Sequence, residues 1–97
     1  MYFVILTTDK ANATHIRQEM RPAHLEYIRG FGKQIVAGGA TLAEDGEVMT
    51  GSFILVDMAD RGAVQAFLRN DPYVQAGLFD TVEIRRWRKV IFNAPGS

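Results

Sequence analysis

Hydrophobic residues along the chain follow two spacings, one typical of strands and one typical of helices. Four segments rich in β-branched, aromatic or small apolar residues are predicted to be strands: 2–7, 34–42, 52–57 and about 80–89. Two further segments place apolar residues at helical intervals and are predicted to be helices. Segment 14–31 has Ile16, Met20, Leu25, Ile28 and Phe31 on its apolar side, and in segment 61–69 Val64, Phe67 and Leu68 face inward. The predicted element order is therefore β-α-β-β-α-β.

Local signals refine these boundaries. The Asp45–Gly46 pair favours the positive φ angles of a tight hairpin between the second and third strands. Asp60 is placed to cap the second helix. Pro22 either kinks the first helix or begins its second half, because proline has no backbone N–H to donate. The adjacent cations Arg85–Arg86 interrupt the alternation of the last strand, so a bulge or bend is predicted there.

This order predicts an α+β fold of the ferredoxin-like type, with a four-stranded antiparallel sheet and two helices on one face. The strands 2–7 and 52–56 carry apolar residues at consecutive positions, so apolar side chains point from both faces of the sheet. The face without helices then needs a cover. A second copy of the same sheet would bury it, which predicts a homodimer formed through the sheet face.

Length and charge limit the classes of function. With 97 residues the chain is predicted to form one domain over 1–97, and its 11 basic residues balance 11 acidic ones. This balance argues against a general nucleic-acid-binding protein. The segment 85–89, RRWRK, is the exception. It is either a phosphate-binding stretch with a stacking indole or, as we expect, an edge strand with solvated charges.

The cellular setting is inferred from what the sequence lacks. Cysteine is absent, which excludes disulfides and thiolate chemistry and fits a cytoplasmic location. The apolar opening segment has no basic leader and is shorter than the ~20 residues of a membrane span, so it is predicted to be a strand without membrane contact.

Neither a metal nor a cofactor is expected. The two histidines, His15 and His24, lie on opposite sides of the first predicted helix and cannot share a metal ion. The glycine pair Gly38–Gly39 lies within a strand and does not open a helix, so it is not a dinucleotide-binding loop. Instead, it removes side chains where a ligand or another backbone would approach closely.

His24 and Asp71 each have a purely structural interpretation. His24 borders the apolar stripe of its helix, where a histidine is commonly a satisfied boundary residue. Asp71 precedes Pro72, a pairing typical of an N-cap followed by the first helical residue, and Gly77 would end the short turn. Taken singly, neither residue requires an activity.

Together, the segments RPAHLEYI (21–28) and DPYVQAGLFDTVEIRRWRKV (71–90) resemble the paired signatures of the YciI-like (YCII-related) family of the dimeric α+β barrel superfamily. The resemblance covers nearly the whole chain, and DPYxxAG is its most specific element. It implies a dimeric α+β barrel in which His24 and Asp71 form a His-Asp pair in a cleft. Arg86 departs from the pattern, because a proline or neutral residue is expected there.

The resemblance also bears on function. One relative is linked to dehydrochlorination of chlorinated aromatics, and distant relatives include muconolactone isomerases and cofactor-free monooxygenases, which imply small, often aromatic or enol-type ligands. A His-Asp pair can move protons without a cofactor, because the carboxylate fixes the imidazole tautomer and leaves the other ring nitrogen as a base.

Two hypotheses follow. The first is a cofactor-independent enzyme performing proton transfer or elimination on a small cyclic or enolisable substrate, with His24 as acid/base and Asp71 orienting it. In this hypothesis Arg21 holds an anionic group of the substrate, Gly38–Gly39 give it space and Tyr73 lines the wall. Arg21 is equally well explained as a solvated or salt-bridged arginine, and Tyr73 is better explained as a core aromatic. The second is a non-catalytic module that binds a small ligand or a partner, in which Asp71 is only a cap.

Overall fold

The computed structural model describes residues 1–93, so residues 94–97 of the predicted domain lie outside the described part of the chain. The elements in chain order are β1 (Tyr2–Asp9), α1 (Thr14–Arg29), a 3₁₀ turn (Gly32–Gln34), β2 (Ile35–Leu42), β3 (Met49–Asp57), α2 (Arg61–Arg69), α3 (Pro72–Gln75) and β4 (Phe79–Arg86).

The four strands form one antiparallel sheet in the order β2-β3-β1-β4. With α1 and α2 as the connecting helices, this is the predicted ferredoxin-like α+β arrangement, and the short helix α3 is added between α2 and β4. The two central strands are β3 and β1, and β2 and β4 are the edges. The predicted fold class is confirmed.

The apolar core lies between the sheet and the two long helices. Phe3 and Ile5 of β1 point toward the helices, as do Ile54 and Val56 of β3. The helix α2 contributes Val64, Phe67 and Leu68, and the half-buried side chains that α1 adds are Tyr27 and Ile28. Burial of each large apolar side chain contributes about 1.5–3 kcal/mol. This packing leaves the opposite face of the sheet without a helix.

Most of the local signals act as predicted. The carboxylate of Asp60 accepts a hydrogen bond from the amide of Ala63 at 2.8 Å and caps α2. Gly46 has a φ of 75°, which is the left-handed conformation that the hairpin turn after Asp45 requires. The helix α1 continues through Pro22 as a single element.

The last strand differs from the prediction in two ways. It ends at Arg86, because the neighbouring strand β1 begins at Tyr2 and has no earlier residue to pair with it. The last hydrogen bond between the two segments runs from the amide of Trp87 to the carbonyl of Tyr2, at 3.1 Å. The bulge expected at Arg85–Arg86 is also wrong, since the pairing with β1 is regular there and the register shifts between Thr8 and Asp9. The two arginines point to opposite faces of a regular strand.

No helix in residues 1–93 combines the length and the apolar character that crossing a membrane requires.

Candidate active site

A cavity of about 190 Å³ lies between α1 and the strands β2 and β3, on the helix side of the sheet. Apolar side chains of these three elements form most of its wall. The polar or aromatic side chains that line it are Arg17, Arg21, His24, Ser52 and Tyr73. The cavity therefore offers a mostly apolar space with a few polar groups, which is the usual composition of a small-molecule site.

His24 and Asp71 meet at the edge of this cavity. Nδ1 of His24 lies 2.8 Å from Oδ1 of Asp71, and the two residues are only 7% and 1% exposed. The helix α1 supplies the histidine, and the aspartate is the N-cap residue of α3. An ionised carboxylate only accepts hydrogen bonds, so Nδ1 carries the proton and Nε2 is left as the basic nitrogen.

The carboxylate of Asp71 also caps α3. Its Oδ1 accepts a hydrogen bond from the amide of Tyr73 at 2.9 Å, and Pro72 occupies the first turn of the helix. Gly77, with a φ of 74°, follows the short helix. Capping and pairing with His24 were alternative interpretations of Asp71, and here the same oxygen does both. Oδ2 is buried without a hydrogen-bond partner among residues 1–93.

Tyr73 packs against one face of the His24 imidazole. Its ring stacks on that of His24, with centroids 3.9 Å apart and planes inclined by 14°. Burial raises the pKa of the Tyr73 phenol, although the charges of Arg17 and Arg21 act in the opposite direction. The ring is both a buried aromatic and part of the cavity wall, so the two roles considered for it coexist.

Arg17 is the site residue that the sequence analysis missed. It is 5% exposed, and its Nε and Nη2 donate to the carboxylate of Asp9 at 2.7 and 2.9 Å. Nη2 also donates to the carbonyl of Gly51 and to Oγ of Ser52, both at 3.0 Å. The guanidinium carbon lies 4.9 Å from the centroid of the Tyr73 ring.

The charge of Arg17 is well supported in this position. Burial alone would lower the pKa of the guanidinium, but the hydrogen bonds and charge of Asp9, and then the charge and hydrogen bond of the Tyr73 phenol, outweigh it and the pKa is raised. A signal for Arg17 was present in the sequence. Arg17, Arg21 and His24 are spaced i, i+4 and i+7, which places all three on one face of a helix. Polar residues at this spacing indicate that their side chains face the same site.

The other predicted site residues also line the cavity. Arg21 is exposed and forms no ion pair with any acidic group among residues 1–93. Gly38 and Gly39 lie in β2. A methyl group on Gly38 would meet only the side chain of Ile54, at 3.8 Å, and one on Gly39 would meet nothing within 4 Å. The glycines therefore leave open space and do not accommodate a tightly packed neighbour.

Within residues 1–93 no cluster of three or more histidine, cysteine, aspartate or glutamate side chains is arranged to hold a metal ion. His15 is exposed on α1, whereas His24 is buried.

The basic segment 85–89 lies at the other end of the sheet. Arg86 lies over the ring of Phe3, 5.5 Å from its centroid, and Lys89 lies 5.8 Å from that of Tyr2. Both cations thus contact aromatic rings of their own chain. That the segment does not bind nucleic acid remains a prediction.

Comparison with known proteins agrees with these motifs. The model of the YCII-related domain matches residues 1–88. Protein YciI of Escherichia coli O6:H1 is 31% identical over 93% of this chain and 99% of its own, and an uncharacterized protein of Haemophilus influenzae is 28% identical with the same coverage.

A solved structure of high similarity is the 5-chloro-2-hydroxyhydroquinone dehydrochlorinase TftG from Burkholderia phenoliruptrix AC1100, in complex with 2,5-dihydroxybenzoquinone. It is 33% identical, covers 91% of this chain and 94% of its own, and superimposes with a TM-score of 0.84. On the family match and these relatives, the chain belongs to the YCII-related family.

Proposed function

We propose that the protein is a cofactor-independent enzyme that catalyses proton transfer or elimination on a small cyclic or enolisable compound. The observation that carries this proposal is the buried pair of His24 and Asp71, 2.8 Å apart, at a cavity that the histidine lines. A histidine fixed by a carboxylate is a general acid/base suited to neutral pH. The dehydrochlorinase activity of the similar TftG supports this class of reaction.

In this mechanism Nε2 of His24 takes a proton from a C–H or O–H group of the substrate. The electron pair of that bond enters the conjugated system. In an elimination it expels a leaving group such as chloride, and in an isomerisation the proton returns from His24 at a different atom. Asp71 keeps the proton on Nδ1 and stabilises the imidazolium that forms. Tyr73 keeps the imidazole plane fixed by stacking.

The cavity supports a ligand of one ring. A space of ~150 Å³ holds a benzene molecule, so about 190 Å³ accommodates a single ring with a few substituents. Arg21, without an acidic partner among residues 1–93, would hold an anionic substituent. The similar TftG binds 2,5-dihydroxybenzoquinone, a compound of this size and type.

The test is an assay of the purified chain with 5-chloro-2-hydroxyhydroquinone and other halogenated hydroxyhydroquinones, followed by chloride release and absorbance. His24→Gln should lower the rate by ~10²–10⁴. His15→Gln is the matched control on the same helix and should react at the wild-type rate. If such ligands bind but no turnover occurs, and His24→Gln binds them equally well, the protein is instead a non-catalytic small-ligand-binding module.

We also propose that the protein is a homodimer through the uncovered face of its sheet. Val4 pairs with Leu55 and Leu6 with Phe53 across β1 and β3, and all four alternate with residues that face the helices. Leu6 and Phe53 are 36% and 40% exposed in the single chain, whereas Val4 and Leu55 are already buried. A second copy would bury this apolar surface.

Sedimentation of the purified chain tests the dimer. Wild type should sediment at twice the chain mass, and Phe53→Glu should shift it toward the monomer. Val82→Glu is the control, because Val82 is also exposed but pairs with Thr7, whose side chain points to the helix side. A wild-type monomer at micromolar concentration would contradict the proposal.

A further inference from the structure

The cavity has a second polar group, formed by Arg17 and Ser52, that the acid-base chemistry of His24 does not use. Arg17 belongs to α1 and Ser52 to β3, and both line the cavity. They are 5% and 4% exposed. Buried polar groups destabilise the fold unless they form hydrogen bonds. Donors that remain unused at the cavity wall therefore indicate where a ligand could bind.

The hydrogen bonds of Arg17 occupy only part of its guanidinium. A guanidinium has five N–H donors, of which Nε and Nη2 supply three. These serve Asp9, the carbonyl of Gly51 and Oγ of Ser52. Nη1 takes part in none of these bonds. The Tyr73 phenol is a further hydrogen-bond partner of the guanidinium, and its single oxygen occupies no more than one of the remaining N–H groups. Because four contacts hold the rest of the group in place, Nη1 has a fixed direction, and at least one of its two N–H groups is available to a ligand in the cavity.

Ser52 has unused capacity of the same kind. Its Oγ accepts the hydrogen bond from Nη2 of Arg17 at 3.0 Å, so its own proton points away from Arg17. Among residues 1–93 the hydroxyl forms no other hydrogen bond. An oxygen that accepts from a cation donates more strongly, because successive hydrogen bonds polarise one another. Ser52 therefore presents a polarised O–H to the cavity that it lines.

We propose that Nη1 of Arg17 and the hydroxyl of Ser52 together bind one oxygen atom of the ligand. This inference rests on the proposed function and adds a second requirement to the substrate. The ring must carry a carbonyl or enolate oxygen conjugated to the atom whose proton His24 removes. When the proton moves to Nε2, the electron pair left behind delocalises onto that oxygen, and the two donors stabilise the charge that develops there.

The charge balance of the cluster selects the kind of oxygen. Asp9 neutralises Arg17 through two hydrogen bonds, and the side chains of both residues are less than one-tenth exposed. The pair as a whole carries no net charge. It suits a carbonyl oxygen or the single, delocalised charge of an enolate, and it offers no excess positive charge for a phosphate, whose two charges lie on one group. The expected ligand class is thus hydroxyquinones and cyclic keto-enols.

Titration calorimetry of the full chain with 2,5-dihydroxybenzoquinone tests the donor pair. Ser52→Ala should weaken binding of this probe by about 10-fold or more, since it removes a donor to a charged or polarised oxygen. Thr50→Ala is the matched control, because it removes an exposed hydroxyl of the same strand that does not line the cavity, and it should bind like wild type. Thermal unfolding of each variant checks that it is folded.

Ser52→Cys provides a second test if Ser52→Ala proves unstable. A thiol is a weaker donor, so its affinity should lie between those of wild type and Ser52→Ala. Arg17→Lys keeps the charge but removes Nη1, and it should also weaken binding of the probe.

The outcomes separate this inference from the proposed function. Unchanged affinity in both Ser52 variants, together with a loss of turnover in His24→Gln, overturns the donor pair and leaves the acid-base role in place. Weakened binding in the Ser52 variants with full turnover in His24→Gln supports the donor pair and overturns the role of His24. A wild-type protein that does not bind the probe overturns both.

Discussion

The two long helices cover the same face of the sheet, but they bury opposite kinds of side chain. The buried residues of α2 are Val64, Phe67 and Leu68, all apolar. The buried residues of α1 are Arg17 and His24, both polar. The comparison indicates that α2 contributes apolar packing to the core, whereas α1 contributes the buried polar side chains of the candidate site. The cavity lies under α1, where packing against the sheet is incomplete.

The polar face of α1 has an energetic consequence. Burying a charge costs several kcal/mol unless a partner compensates it. Arg17 has Asp9, and His24 has Asp71. Neither partner belongs to α1 itself: Asp9 ends β1 and Asp71 precedes α3. The position of α1 therefore depends on polar contacts with its neighbours as well as on the packing of Tyr27 and Ile28, whereas that of α2 depends mainly on apolar packing.

The largest expected effect is in α2. Phe67→Ala removes a 2%-exposed ring from the core and should lower the free energy of unfolding by about 3–5 kcal/mol, because the neighbours cannot fill the cavity left behind. Urea denaturation measures this loss, and Phe67→Leu should cost clearly less. A loss below ~1 kcal/mol for Phe67→Ala would show that α2 does not stabilise the fold as argued.

The next largest effect is expected at Asp71, which pairs with His24 of α1. Asp71→Asn should lower the catalytic rate by ~10²-fold, because an amide does not hold the proton on Nδ1 of His24 as a carboxylate does. The melting temperature should change little, since asparagine caps helices about as well as aspartate. Nitrogen NMR of the His24 ring should show a changed tautomer.

Asp60→Asn is the matched control for this substitution. Asp60 is the N-cap of α2 and accepts from Ala63 as Asp71 accepts from Tyr73, but it has no histidine partner. The rate of Asp60→Asn should equal that of wild type. If both variants react at the wild-type rate, Asp71 is only a cap.

The same contrast explains how much of the structure could be predicted. The helix α2 was predicted with its boundaries, its cap and its inward-facing residues, because its burial follows its own apolar spacing. For the first helix the spacing predicted an apolar side of five residues, yet these are only half-buried: Ile16, Met20, Leu25, Ile28 and Phe31. Buried Arg17 depends on Asp9, at the end of β1, and on Ser52, which is remote along the chain, and the helical spacing of α1 does not reveal these partners.

The site and the last strand show the same limit. His24 and Asp71 could be paired before the structure only through the family resemblance, since each alone has a structural interpretation. The end of β4 depends on where β1 begins, so the apolar and basic residues after Arg86 did not extend the strand. Local patterns predicted the elements, and tertiary partners decided where they end and which polar groups are buried.

A smaller effect concerns the open space under α1. Gly38→Ala places a methyl group on the helix side, since Gly38 pairs with core-facing Ile54, and it should weaken binding of 2,5-dihydroxybenzoquinone by about 10-fold. Stability should be retained because the new contact is an ordinary 3.8 Å. Ala37→Ser, which also adds one atom, is the control: Ala37 pairs with Leu55 and does not line the cavity, so its side chain projects from the opposite face. Equal affinities in the two variants would place the ligand elsewhere.

The smallest effect tests a polar contact that joins the two long helices. The hydroxyl of Tyr27 in α1 donates to the carbonyl of Phe67 in α2 at 2.9 Å. Tyr27→Phe removes this bond and should lower the free energy of unfolding by about 1 kcal/mol at pH 7, as measured by urea denaturation. Phe31 packs against the same ring edge to face and should keep the aromatic cluster in place.

The pH dependence of this contact distinguishes the hydroxyl from the ring. Burial, and then the charge of Asp71, raise the pKa of Tyr27 above its ordinary value of 10.0. As pH rises, the phenol therefore loses its proton in the unfolded chain before it does so in the folded chain. The neutral phenol contributes its full stabilisation below pH 10.0, and this contribution is lost as pH rises through the pKa of the folded state. The difference in the free energy of unfolding between wild type and Tyr27→Phe should thus shrink above pH 10.0. Burial also raises the pKa of Tyr73, and the loss of stability caused by its ionisation occurs in both proteins. A difference that stays constant across this range would show that Tyr27 joins the helices through its ring alone.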